Sequence, residues 1–350
     1  MKVLYAYRYG IIGGVSTQLL LRRAALKAAG IRCELFFSQD NGLGHVLTDR
    51  DGIHFGKERS FGHLVRQGAY DAVIVIDSPE LLHSARGPFY RRNPVLLDVH
   101  TTVATGLAYL SEISPSRLAA VMVPTRYSKN LVTSRLPSST SLAVIPNILD
   151  TELFTPAASP LAQGERQFIW VGKLDLHKNW RLAVTYIAML RKILGRPVRL
   201  YMVGGYAAQP AQSEAFFKLI HKHGVSDCVT WIDRIENAEL ADLYRQCAAS
   251  GGAMLVTSRD ESFGMAAAEA VLCGCPLITN DLPVFREVFP ESRMIQRVDI
   301  WQPEQVARAA EVLAQPPSTE EVDALRQELS RRYGPHAFVE AFKKLMGTLQ

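Results

Sequence analysis

The chain has 350 residues, more than one typical domain needs, and its 48% hydrophobic and 21% charged content is that of a folded protein, which excludes wholesale disorder. No apolar run approaches the roughly 18 residues of a membrane span, and the opening Met1-Lys2-Val3-Leu4-Tyr5-Ala6-Tyr7-Arg8 reads as a first strand, not an export signal. The net charge of +5 lies wholly in residues 1–160, with 17 basic and 12 acidic side chains against 22 of each in the remainder; it points to an anionic partner for the first half and is too dispersed for nucleic acid.

Short Val/Ile/Leu-rich runs predict strands at Lys2–Tyr7, Ile31–Phe37, Ala72–Ile76, Val95–Val99, Ala120–Val123 and Leu142–Ile145, with helices such as Val15–Ala29 and Ser128–Arg135 between them. The runs lack strict polar alternation, as parallel strands covered on both faces do. A stretch with two prolines and a glycine follows, and residues 156–166 are taken as a linker. The pattern then restarts, with strands at Gln167–Val171, Arg199–Val203, Cys228–Ile232, Gly252–Val256 and Pro276–Thr279. Helices are predicted at Asn179–Leu194, Ala211–His223, Ala238–Ala248 and Gly264–Cys273, and the chain is helical from Gln302 to a last helix at Pro335–Leu349. The expectation is an α/β protein of two Rossmann-like domains, 1–155 and 167–334, with ligands at the carboxyl ends of parallel strands in a cleft between them. Such an architecture suits a two-substrate enzyme or a hinged binding protein. Cys33, Cys228, Cys247, Cys273 and Cys275 are odd in number and scattered, which fits a reduced, cytoplasmic setting.

The segment richest in chemistry is Arg259-Asp260-Glu261-Ser262-Phe263-Gly264-Met265-Ala266-Ala267-Ala268-Glu269-Ala270, placed after a strand and opening an Ala-rich helix. A helix N-terminus offers free N–H groups and a positive dipole end to a phosphate, and Gly264 lets a ligand come close. Gly264 to Glu269 spans about 7.5 Å of helix, roughly the reach from a diphosphate to a ribose, whose vicinal hydroxyls a carboxylate can accept. Gly13-Gly14 sit between the first strand and the first helix, and Gly10-x-x-Gly13-Gly14 is not the G-x-G-x-x-G dinucleotide fingerprint, which argues against a nicotinamide enzyme. No Asp-x-Asp ends a strand and no His/Cys cluster has ligand spacing, so no metal is expected.

Glu261 to Glu269, continuing as Ala270-Val271-Leu272-Cys273-Gly274-Cys275-Pro276-Leu277-Ile278, resembles the E-x7-E motif of retaining glycosyltransferases. Gly13-Gly14-Val15, Val123-Pro124-Thr125-Arg126-Tyr127, Val144-Ile145-Pro146-Asn147-Ile148-Leu149-Asp150 and Val171-Gly172-Lys173-Leu174-Asp175-Leu176-His177-Lys178-Asn179 resemble further motifs of glycosyltransferase family 4, in order and over nearly the whole chain. The resemblance implies the GT-B fold, with 1–155 binding the acceptor, 167–334 binding the donor, and residues 335–350 crossing back onto the first domain. It implies a hexosyltransferase that uses a nucleotide sugar, UDP-linked by preference, as substrate and needs no cofactor. Glu261 and His100 would fix the sugar. Lys173 and Lys178, with Phe263, Gly264 and Met265 at the helix end, would hold the diphosphate. Glu269 would hold the ribose, Arg234 and Ile235 the base, and Gly13 and Gly14 a donor phosphate or the acceptor. Lys173 stands where the family has Arg, and a lysine lacks the guanidinium fork. Asp98 is read as alternating to the side of its strand opposite His100 and is set aside.

Two other classes fit less well: a GT-B relative such as a sugar-nucleotide 2-epimerase, which the E-x7-E segment disfavours, and a non-catalytic two-domain sugar-binding protein. The basic surplus, including Arg22, Arg23 and Lys27 on the first helix and Arg91-Arg92, leads to the expectation of a phosphorylated or lipid-linked acceptor, or of weak peripheral association with the inner membrane face.

Overall fold

The computed structural model describes residues 1–11, 13–84, 94–113, 118–156, 164–205 and 208–349. The chain divides into two compact units, Met1–Leu149 with Arg331–Gln350, and Asp150–Ser330. The division falls ahead of the 156–166 segment, whose residues 157–163 lie outside the described residues.

The first unit runs β1 (Lys2–Gly10), α1 (Gly14–Ala28), β2 (Arg32–Asp40), α2 (Leu43–Val46), β3 (Ile53–Phe55), α3 (Glu58–Gln67), β4 (Ala72–Ile76), α4 (Pro79–Ser84), β5 (Val95–Asp98), β6 (Ala120–Val123), α5 (Arg126–Thr133) and β7 (Leu142–Val144). Its seven strands pair in parallel in the order β3-β2-β1-β4-β5-β6-β7. The second unit runs β8 (Arg166–Val171), α6 (Trp180–Ile193), β9 (Val198–Val203), α7 (Pro210–Lys222), β10 (Val229–Ile232), α8 (Asn237–Ala249), β11 (Met254–Val256), α9 (Met265–Leu272), β12 (Leu277–Asn280), α10 (Pro283–Val288), β13 (Ile295–Val298), α11 (Pro303–Val312) and α12 (Thr319–Tyr333), whose residues from Arg331 on belong to the first unit. Its sheet, also parallel, has the order β10-β9-β8-β11-β12-β13. Both sheets reverse direction of winding next to their first strand, between β1 and β4 and between β8 and β11. Open α/β sheets take their ligands there, where the crossovers leave in opposite directions and open a crevice at the strand ends.

Most predicted strands lie within a few residues of the observed ones. β1 and β2 run three residues further than expected because their pairing continues through Tyr9↔Gln39 and Gly10↔Asp40, past the buried part of the sheet. β3 and β13 have no counterpart among the predicted elements. Both are short edge strands whose runs, Ile53-His54-Phe55 and Ile295-Gln296-Arg297-Val298, are broken by strongly polar side chains, unlike the equally short edges β7 and β10, and edges are kept short where pairing with another chain must be avoided.

The last helix, α13 (Pro335–Gly347), belongs to the first unit and packs on α1. Phe338 and Phe342 are fully buried in the cluster that holds Tyr5, Leu19 and Ile74, with the Tyr5 and Phe342 ring centroids 6.4 Å apart. Leu149 N–H donates to Tyr333 C=O at 2.8 Å, which fixes where the chain re-enters this unit. No helix among the described residues is long and apolar enough to cross a membrane. The variant Phe342→Ala should lose about 3–5 kcal/mol of stability through transfer and cavity terms together. Urea unfolding would measure this, and a loss below about 1 kcal/mol would show that α13 is only loosely seated.

Candidate functional site

In the second unit, β8 and β11 end side by side at the winding reversal, and the loops beyond them meet. Lys178 Nζ is ion-paired with Glu261 Oε1, their side chains 27% and 12% exposed. Ser258 Oγ donates to the same carboxylate oxygen at 2.7 Å. These three residues, with Trp170, Thr257 and Gly264, line a small pocket open to solvent. Each loop is tied down from beneath. Asp175 Oδ1 accepts from the Lys178 backbone N–H at 2.7 Å. Thr257 Oγ1 lies 3.0 Å from Lys178 O and 3.1 Å from Asn179 O, and accepts from the Trp170 indole N–H at 3.0 Å. Asn280, at the end of β12, donates to Ser258 O at 3.0 Å, and Arg259 N–H donates to His177 O at 2.9 Å. Glu261 is therefore a held carboxylate rather than a helix cap: the N-cap of α9 is Gly264, and no side chain caps it.

The glycines here are explained by space. Gly264 has φ +91°, and a Cβ on it would sit 2.5 Å from the Phe285 ring. A Cβ on Gly172 would lie 3.1 Å from Lys178 Cγ, so that glycine clears the stem of the lysine. Gly13 and Gly14 differ. Gly13 is extended (φ 175°), and a Cβ on either residue would meet nothing within 4 Å. Neither the backbone nor the packing demands glycine at the start of α1, and the space above it is open to a ligand.

Glu269 lies on α9, and its carboxyl makes no hydrogen bond or ion pair among the described residues. Part of its surface is open, yet burial, and then the charge of Asp150, push its pKa up to about 7. Lys173 is exposed and unpaired among the described residues. Arg234 is exposed and Ile235 partly so, on the loop before α8. The Phe263 side chain is 1% exposed, so it faces the core and only its backbone is offered to the helix end; Met265 is half-buried.

In the first unit, His100 follows β5, beside the reversal. Asp98 is not on the opposite side, contrary to the expectation from sequence. The two residues are two apart, and strand alternation returns a side chain to the same face after two residues. His100 Nε2 stands 3.1 Å from Asp98 Oδ2. Asp98 is in turn ion-paired with Arg22 of α1, both side chains at most 1% exposed. Burial opposes ionisation of Asp98, but the charges of Arg22 and His100 outweigh it and hold the pKa at about 2. Asp77, just after β4, has φ 37° and accepts from the backbone N–H of His100 (3.0 Å) and of Thr101 (2.9 Å). Burial pushes its pKa up to about 6 against those donors.

The basic surplus is also placed differently from expectation. Arg22 is internal, and Arg23, 14% exposed, pairs with Asp49 at 3.1 Å, so neither offers free charge to a partner; Lys27 is exposed. Arg91 and Arg92 lie outside the described residues. All five cysteines are free and buried.

Residues 154–316, which contain the pocket, match the family described as glycosyl transferases group 1. The matched residues make up most of the second unit, Asp150–Ser330. The resemblance to glycosyltransferase family 4 is borne out there. A D-inositol 3-phosphate glycosyltransferase of Gordonia bronchialis is 31% identical over 144 residues, 38% of this chain and 31% of the relative. A glycogen synthase of Mycobacterium tuberculosis is 25% identical over 146 residues, 42% of this chain and 33% of the relative. The matches thus span about a third of these relatives' length. Among solved structures, a sucrose-phosphate synthase from Thermosynechococcus elongatus shares the fold with a TM-score of 0.83 at 18% identity, covering 100% of this chain and 99% of that one. Anabaena HepE, in complex with UDP and glucose, gives 0.80 at 16%, covering 99% and 100%. The fold is GT-B.

Within the matched region, Thr257, Ser258 and Asp175 carry no signal in the sequence. Ser, Thr and Asp are common in loops, and only their burial under Lys178 and Glu261 sets them apart. Glu269 supplies a test by pH. A carboxyl whose pKa is raised on folding favours the folded state while protonated, and that contribution is lost as pH rises from about 4.5 through about 7. Glu269→Gln should therefore raise the melting temperature at pH 8 and leave it unchanged near pH 4. Equal effects at both would disprove the buried, unpaired carboxyl.

Proposed function

We propose that the protein transfers a hexosyl group from a nucleoside diphosphate sugar, UDP-linked by preference, to an acceptor hydroxyl with retention of configuration. The observation that carries this reading is the Lys178–Glu261–Ser258 cluster beside the Gly264 end of α9, within the matched domain. The preference for UDP is supported by the UDP and glucose bound to Anabaena HepE, and by the frequency of UDP-sugars among donors in the family that the motifs resemble.

Glu261, held by Ser258, accepts hydroxyls of the sugar. Lys178 and Lys173 meet the diphosphate, joined by the backbone N–H groups at the start of α9. When a diphosphate takes Lys178 as its partner, Glu261 is released from that ion pair toward the sugar. The bond between the anomeric carbon and the diphosphate oxygen breaks, and the acceptor oxygen bonds to the same carbon on the same face. The acceptor proton passes to the departing phosphate oxygen. Stabilising the charge that grows on that leaving group is the main task, and two cations with a helix end are suited to it. Glu269 holds the ribose, and Arg234 and Ile235 support the base. In the first unit, His100 contacts the sugar, and Gly13 and Gly14 a donor phosphate or the acceptor.

The acceptor is proposed as anionic, phosphorylated or lipid-linked. The net charge of the first half and the name of the inositol phosphate relatives support this, although Arg22 and Arg23 do not.

Nucleotide release from UDP-sugars should fall by at least about 100-fold in Glu261→Ala, the range lost when one charge-stabilising group is removed. The wild-type rate should survive a chelator. Full turnover in the variant, or loss of activity on chelation, would refute the assignment, and recovery of an epimerised donor would favour the epimerase class. Gly14→Ala should fold with equal or slightly higher stability, since the site is strain-free, while turnover drops because the methyl occupies the open space. Unchanged turnover would remove the start of α1 from the site.

A further inference from the structure

We propose that Asp77 and the hydroxyl of Tyr7 form an acceptor subsite in the first unit, one that takes the hydroxyl-bearing face of a sugar or cyclitol and excludes phosphate. The proposal rests on the reading that the first unit binds the acceptor, and adds which face of the acceptor lies there.

Asp77 directly follows β4, which borders the winding reversal where a parallel sheet opens its crevice. Tyr7 faces it across that reversal: Tyr7 pairs with Ile76 in the β1–β4 register, and the Arg8 N–H donates to Ser78 Oγ at 3.0 Å. Asp77 is half-buried and held at a φ of 37°, which costs an aspartate something to adopt. Its two carboxylate oxygens differ. Oδ2 is taken, accepting from the backbone N–H groups of His100 and Thr101. Oδ1 has only the Tyr109 hydroxyl, at 3.5 Å, which is long for such a bond. No cation pairs with Asp77 among the described residues. Arg8 Nε stands 3.5 Å from Glu80 Oε1, and His100 Nε2 lies 3.1 Å from Asp98 Oδ2. Burial raises the pKa of Asp77 only to about 6, so it is a carboxylate at neutral pH.

An ionised carboxylate with a spare oxygen and no cation lacks a donor. Tyr7 decides which donor suits it. The Tyr7 hydroxyl has no hydrogen-bond partner among the described residues and is not sealed from solvent. Burial, and then the charge of Asp77, push its pKa up, so it keeps its proton and can donate it. A phosphate oxygen only accepts, and an ammonium only donates, so neither serves both groups. Hydroxyls do: one donates to Asp77 Oδ1, and the same or a neighbouring one accepts from Tyr7. Phosphate is also repelled here, because Asp77 and Glu80 both lie close enough to add, after burial, to the raised pKa of the Tyr109 phenol. Any phosphate that the acceptor carries therefore lies away from the end of β4.

Saturation-transfer NMR on the full chain tests this, with glucose and myo-inositol as probes and no donor present. In Asp77→Asn the amide oxygen must face the two backbone N–H groups, which leaves an NH2 where Oδ1 stood: the support of the loop is kept and the acceptor oxygen is lost. At least one probe should bind the wild type, and bind Asp77→Asn at least about 10-fold more weakly, the range of one hydrogen bond to a charged group. Tyr7→Phe should weaken binding about 3-fold, as for a neutral hydrogen bond. Inorganic phosphate should not displace the probe. Binding of neither probe, equal binding to wild type and Asp77→Asn, or displacement by phosphate overturns the proposal, and equal binding would leave Asp77 with a structural role alone. If Asp77→Asn does not fold, Tyr7→Phe decides, since its hydroxyl supports nothing among the described residues. Because no donor is present, a protein that releases no nucleotide still reports on Asp77, and nucleotide release tests the transfer reading separately.

Discussion

A guanidinium and a carboxylate, both sealed from water, hold the first unit together. The Arg22–Asp98 pair joins α1 to β5, while the rings of Tyr5 and Phe338 and the Asn147 amide close around the guanidinium. Neither charge tolerates being left alone there, since removing one partner of a buried pair typically costs about 3–5 kcal/mol. Whatever the net worth of the pair against an apolar alternative, it fixes registry. Helix α1 cannot slide along the sheet without breaking it, and the end of β5 cannot turn without carrying Asp98 away from Arg22. His100 inherits its position from that constraint.

The second unit meets a related problem with less burial. Lys178 and Glu261 come from loops after different strands, and each would be mobile by itself. Asp175, Thr257, Ser258 and Asn280 pin the loops through hydrogen bonds, most of them from side chain to backbone, so the cation and the carboxylate converge without being sealed. Partial exposure matters because an ion pair that still sees water can exchange one partner for a ligand at modest cost, whereas a sealed one cannot. The two units thus use ion pairs for opposite ends: one pair to fix a frame, the other to stay exchangeable.

Much of this is legible in the sequence. Central strands are buried on both faces and announce themselves as apolar runs, and the E-x7-E segment carries both carboxylates and the helix end in one continuous stretch. Edge strands β3 and β13 are invisible because His54, Gln296 and Arg297 break their short apolar runs, while the equally short edges β7 and β10 read as apolar runs. Setting Asp98 aside miscounts the alternation, since the strand rule itself places it with His100. Counting Arg22 and Arg23 as surface charge fails for another reason: a basic residue on a helix gives no sign of whether its partner is water or a buried aspartate. Residues that act by supporting others, such as Ser258, Thr257 and Asp77, are common types in common loops, and only their neighbours in space identify them.

The placement of α13 has a bearing on how the protein is made. Phe338 and Phe342 fill the core around Tyr5 and Leu19, and Phe338 covers Arg22. During synthesis the first 149 residues emerge well before that helix exists, so their sheet waits with an uncovered apolar face and a half-enclosed ion pair while Asp150–Ser330 is translated. The second unit, continuous in sequence, is able to fold on its own schedule. The order of birth and the order of completion are therefore reversed: the half that leaves the ribosome first is the one that finishes last.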